Sequence, residues 1–255
     1  MAPAALAAGA LALVALPIVG LLQRAPWTSL LSDLSSRDAL TALRLSFETS
    51  LGALGVSAVL GVPLAWLLAR RSFPGRAFMR GVVVLPMVLP PVVGGIALLY
   101  AFGRRGFAGS LLYDLTGWRL VFNTSGAIVA EAFVAMPFLI VTADAAFRSM
   151  DRRAEEAAAT LGARPWYRFR RVTLPAVAPA LAAGAALTWA RALGEFGATI
   201  TFAGNFPGTT QTAPLLVYLN IESGHDGTAV AVALVLLAVS LAVLIGLRDR
   251  WLGTP

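Results

Sequence analysis

The chain has 255 residues, of which 58% are hydrophobic and 13% charged, with a formal net charge of +7. This composition points to a bilayer rather than water as the solvent. There is no cysteine and a single histidine, His225, which excludes disulfide frameworks, thiol nucleophiles and histidine-rich metal cages; all 20 basic residues are arginine, which excludes a P-loop and a lysine Schiff base, since both need lysine.

Crossing the hydrocarbon takes roughly 20 apolar residues as a helix. Six segments meet that requirement: 4–22, 45–69, 81–103, 124–147, 176–203 and 227–247. The first has no basic n-region and too long an apolar run for a typical signal peptide, so a retained helix is expected. The second has no charge after Glu48. The third contains LPMVLPPVVGG (85–95), which admits two readings, ordinary kinked packing or a broken helix lining a pathway. The fourth is interrupted by Glu131 and Asp144, the fifth carries Arg191 and Glu195, and the sixth is uncharged.

Arginine placement orients these spans. Segments 70–80 and 148–171 and the C-terminal end hold thirteen arginines, and the opposite side holds six. The excess predicts that loops 70–80 and 148–171 and both termini are cytoplasmic. The positive charge is thereby read as membrane topology rather than as a nucleic-acid surface. No soluble domain remains, so an all-α membrane protein with six transmembrane helices is expected.

The segment DRRAEEAAATLGARPWYRFRRVTLPAVAP, 151–179, faces the cytoplasm yet has helical punctuation. Asp151 suits an N-cap, and Glu155 and Glu156 suit the positive end of the helix that follows. Ala154, Ala157, Ala158 and Leu161 recur at helical spacing. Gly162 fits a left-handed helix end, and Pro165 fits the first turn of a second short helix bearing Trp166, Tyr167 and Phe169. Two readings compete: an amphipathic segment on anionic lipid, and a docking surface for a cytoplasmic partner.

The motif Glu156-Ala157-Ala158-x-x-x-Gly162, nine residues, then Val172-x-Leu174-Pro175 resembles the cytoplasmic signature of binding-protein-dependent ABC importer permeases, departing only in Val172 for isoleucine. The resemblance covers about residues 40–247. It implies the type I importer fold, with an N-terminal helix and outer loop over 1–39, a permease domain over 40–248 with its coupling loop at about 148–175, and a tail over 249–255. It also implies a homodimer in the cell membrane, two ATPase subunits that bind ATP and magnesium, and an external oxyanion-binding protein. This chain would then bind no cofactor and hydrolyse no ATP itself. Glu155, Glu156, Ala157, Ala158, Gly162, Pro165, Leu174 and Pro175 are the coupling residues it points to.

Within that family, GEFGATITF (194–202) followed by N-x-P-G-x-T-x-T (205–212) is similar to the molybdate permeases, with tungstate carried along by shape and charge. Sulfate and thiosulfate permeases, the alternative, share the R-A-x-G-E-[FY]-G portion. A tetrahedral dianion needs donors that do not hold it too tightly, which suits hydroxyls and backbone N–H groups better than a ring of arginines. Arg191, Glu195, Thr199, Thr201, Asn205 and Thr210 are the expected pathway residues. Arg191 and Glu195 share a helix face, so they are read first as a structural pair, with substrate contact as the alternative. An autonomous secondary transporter would predict internal repeats and midplane ion sites, and none stands out. His225, in the outer loop 221–227, is read as a solvated residue.

Overall fold

The computed structural model describes residues 2–251, and among these every regular element is helical. Of the expected tail, residues 252–255 lie outside the described residues.

The bundle is built on two long parallel helices, α3 (Arg37–Arg70, with α1, Ala2–Gln23, and the short α2, Leu30–Leu34, before it) and α7 (Thr124–Ser149), whose contacts run in step from Thr49 on Glu131 to Gly61 on Ile140. Both are capped as their sequences dictate. Ser36 Oγ accepts the Ala39 N–H, and Asn123 Oδ1 accepts the Gly126 N–H, each satisfying an otherwise unpaired first-turn donor. Ser46, Ser50, Ala53, Ser57, Gly61 and Ala65 form one buried face of α3. Small residues allow close backbone approach, which is how helices associate where no hydrophobic force separates lipid from side chain. A Cβ on Gly52 would stand 2.9 Å from Ile128, and one on Gly61 3.1 Å from Ile140. Towards the C-terminal ends of α3 and α7, Leu68, Ile140, Phe147 and Val177 close the core.

Five described helices are long and apolar enough to cross a membrane, and a sixth span arises if one bent pair counts as a single crossing. That pair is α4 (Arg76–Val88) and α5 (Pro91–Phe102), which meet at 119°. Leu89 and Pro90 are extended because a residue before proline avoids the helical region, and Pro91 then starts a new helix. The chain therefore breaks within 85–95, and 81–103 is not one straight helix. Helix α6 (Phe107–Thr116) follows and ends at Gly117, whose φ of +71° favours glycine.

The expected fifth span, 176–203, is also corrected. After the short helices α8 (Arg153–Thr160) and α9 (Pro165–Arg168), a π turn at Phe169–Thr173 leads into α10 (Leu174–Leu193). The chain breaks at 194–196 and resumes as α11 (Gly197–Phe202). Helix α12 (Ala213–Glu222) packs between α3 and α13 (Asp226–Trp251), which supplies the last span. Helix α1 rests against α13 with nearly all its residues exposed.

Candidate functional site

Two regions collect the residues singled out by sequence. In the segment expected to face the cytoplasm, α8 and α9 stand as a helix–turn–helix. Asp151 accepts the Arg153 N–H at 3.0 Å. It caps from one residue further out than expected, because α8 starts at Arg153 and Arg152 holds the cap position. Gly162 has φ +79°, and the Ala163 N–H returns to the Ala158 carbonyl, closing the helix end. Pro165 opens α9. Ala154, Ala157 and Leu161 are exposed, as are Trp166 and Tyr167, so this apolar face is largely uncovered by the described residues. Leu174 and Pro175 begin α10.

The two glutamates of α8 differ. Glu156 is exposed, whereas Glu155 receives Arg70 Nη2 at 3.0 Å and the Thr173 hydroxyl. Phe169 stacks on Trp166 at 5.7 Å and meets Trp66 of α3 edge-on at 6.5 Å.

The second region surrounds the break in the fifth span. Glu195, 1% exposed, pairs through Oε2 with Arg191 Nη2 at 2.6 Å and accepts the Ala198 N–H on Oε1 at 2.9 Å. One side chain thus ties the end of α10 to the start of α11. Thr199 is fully buried and its hydroxyl has no partner. Thr201 donates to the Gly197 carbonyl at 2.8 Å, so its hydroxyl is used within α11. In the following loop Thr210 Oγ1 accepts the Phe206 N–H at 2.9 Å, the Phe206 carbonyl receives three N–H groups, and the Asn205 side-chain oxygen is buried without a partner. Thr124 of α7 donates to the Thr209 carbonyl at 2.9 Å and fixes this loop to the bundle. Arg191, Glu195, Thr199 and Thr201 thus cluster at the break, and Asn205 and Thr210 sit in the loop after it.

Partners that sequence could not name also emerge. Glu131 accepts the Thr49 hydroxyl at 2.8 Å, Ser50 accepts Trp189 Nε1 at 2.9 Å, and Ser46 accepts the Ala213 N–H at 2.6 Å. The signal was present: Ser46, Ser50 and Ser57 are spaced by four and then seven residues, on one face of a span. Asp144 is held by Arg80 at 3.1 Å and Arg148 at 2.9 Å, joining α4 to α7. His225 is exposed, and no group of metal-ligating side chains occurs among the described residues.

Comparison with known proteins places the chain in a family. Residues 61–251 match the family model described as "Binding-protein-dependent transport system inner membrane component". The "Molybdenum transport system permease protein ModB" of Mycobacterium tuberculosis is 42% identical over 237 residues, covering 93% of this chain and 89% of the relative. A "Probable sulfate transport system permease protein cysT" of Zygnema circumcarinatum is 35% identical over 233 residues, covering 90% and 81%. Among solved structures, a bacterial alginate ABC transporter in complex with its pentasaccharide-bound periplasmic protein superimposes with a TM-score of 0.71 at 20% identity, covering 97% of this chain and 93% of that one, a likeness of fold alone. The broken spans, the exposed helix–turn–helix and these matches lead to one conclusion: the chain is a multi-pass membrane protein that belongs to the family of binding-protein-dependent transport system inner membrane components.

Proposed function

We propose that this chain is the permease subunit of an ATP-driven importer that moves molybdate, or the similar tungstate, from an external binding protein into the cytoplasm. The observation that carries the substrate is the 42% identity to a molybdenum transport permease over nearly the whole of both chains, against 35% for the sulfate permease. The exposed apolar face of α8 and α9 supports the energy source, since it offers a separate ATPase a seat that the chain itself does not fill. Two copies of the permease, two ATPase subunits and one binding protein make the working assembly. Loops 70–80 and 148–171 and both termini lie in the cytoplasm, as the arginine excess requires. The division at 1–39, 40–248 and 249–255 belongs to the same proposal.

A dianion entering a narrow path exchanges its hydration shell for protein donors and must still be released. The unpartnered Thr199 hydroxyl, the Thr210 hydroxyl and the Asn205 amide supply neutral donors beside the helix break. Arg191 is already neutralised by Glu195, so it holds the break rather than the anion. Sulfate keeps some support as a second cargo from the more distant relative.

The test is reconstitution in proteoliposomes of the chain alone, and of the chain with its ATPase and binding protein. Molybdate uptake that requires both partners and ATP is the expected result. Uptake by the chain alone would contradict it.

A further inference from the structure

The two adjacent glutamates that open α8 point to different tasks. Glu156, the first residue of the E-A-A-x-x-x-G stretch, is exposed on the docking side. Glu155 turns towards the bundle, where its Oε1 receives both Arg70 Nη2 at 3.0 Å and Thr173 Oγ1. Arg70 is the last residue of α3 and its side chain is only 8% exposed. Thr173 is 2% exposed, ends the π turn and holds the cap position of α10. Among the described residues, Glu155 carries the side-chain hydrogen bonds that join α8 to other helices.

The mechanical consequence follows from composition. Helix α8 is largely alanine and mostly exposed, so apolar packing gives it little grip on the bundle. A charge-assisted hydrogen bond is stronger and more directional than such packing. The one carboxylate reaches the cytoplasmic ends of two spans at once. Beside it lies an open pocket of about 330 Å³ lined in part by Trp66, Arg70, Glu155, Phe169 and Thr173, so α8 is not tightly packed against the bundle around this anchor.

We propose that Glu155 is the positioning residue that transmits movement of the docked coupling loop to α3 and α10, while Glu156 and the exposed apolar face serve the contact with the ATPase. The proposal rests on the reading of this loop as an ATPase seat. It assigns to Glu155 a role in transmission and not in docking.

The test compares variants in the full complex with its ATPase and binding protein, reconstituted in proteoliposomes, with ATP hydrolysis and molybdate uptake measured together. Glu155→Ala is expected to retain the ATPase on copurification while molybdate imported per ATP falls about tenfold, the usual scale of a coupling free energy. Glu155→Gln keeps an acceptor for Thr173 but loses the ion pair, and is expected to fall between. Glu156→Ala is expected to weaken ATPase capture itself. Wild-type import per ATP in Glu155→Ala would overturn the proposal, as would a loss of ATPase capture equal to that of Glu156→Ala. Should Glu155→Ala accumulate poorly, the exchange Arg70→Glu with Glu155→Arg tests the same link. Recovery of yield and of import per ATP supports it, and a folded but uncoupled exchange overturns it. The ATPase reading fails by a different result, uptake by the wild-type chain without ATP.

Discussion

The Arg191 guanidinium and the Glu195 carboxylate meet at 2.6 Å, across the last turn of α10 and the break that follows it. Because Glu195 also accepts the Ala198 N–H, the pair ties the end of α10 to the start of α11 across the break. Arg191→Ala leaves a carboxylate that is 1% exposed without its cation. Removing one partner of a buried pair costs about 3–5 kcal/mol, and the partial exposure of Arg191 places this case at the low end. Lower complex yield and thermal stability together with lost uptake are expected. Glu195→Gln, which keeps an acceptor for Ala198, should be milder. Normal yield and stability in Arg191→Ala with no uptake would instead put the arginine on the anion's path.

The corner between α4 and α5 makes a second prediction. Helix α5 lies so close to α11 that a Cβ on Gly95 would fall 1.6 Å from Thr201 Oγ1 and 2.9 Å from the Ala198 backbone. Backbone cannot yield as a flexible side chain can, so Gly95→Ala should cost about 3 kcal/mol, the upper part of the range for overpacking. Gly81→Ala, where a Cβ meets nothing within 4 Å, is the matched control. Thermal unfolding of the purified complex should separate the two.

Gly162 ends α8 with φ +79°. A β-branched residue there costs roughly 1–2 kcal/mol locally, whereas asparagine tolerates the conformation better. Gly162→Val should therefore reduce copurification of the ATPase, and Gly162→Asn should reduce it less. If both variants captured the ATPase like the wild type, the loop would not be its seat.

Thr49 supplies the hydrogen bond to Glu131, whose other oxygen is already unpartnered in the bundle interior. Thr49→Val preserves shape but leaves the carboxyl unsatisfied, at a cost of about 1–3 kcal/mol. Thr49→Ser restores the donor and should recover most of that loss in a thermal unfolding assay.

Much of this architecture was legible in the sequence, and the exceptions have physical causes. The apolar runs at 4–22, 124–147 and 227–247 correspond closely to α1, α7 and α13 because an apolar run of that length has few solutions in a bilayer, and the two carboxylates inside 124–147 find partners within the bundle. The start of α3 at Arg37 lies well before the expected residue 45, since its outer turns are polar and hydropathy cannot register them. The fifth span was read as continuous through 194–196 because an apolar run conceals a break that depends on Glu195 reaching both sides. Helix α12 was missed as a separate element, although Thr212 followed by Pro214 carries a helix-start signal. In the loop 148–175, Gly162 and Pro165 behave as their types require. The inward turn of Glu155 was not legible, because only the fold brings Arg70 and Thr173 to it.

The most direct measurement of the central claim is ATP-dependent uptake of labelled molybdate by the complete reconstituted complex, with unlabelled sulfate in tenfold excess as competitor. Molybdate accumulation that stops without ATP and persists against the sulfate is the predicted result. Accumulation without ATP, or its abolition by sulfate, would contradict the account.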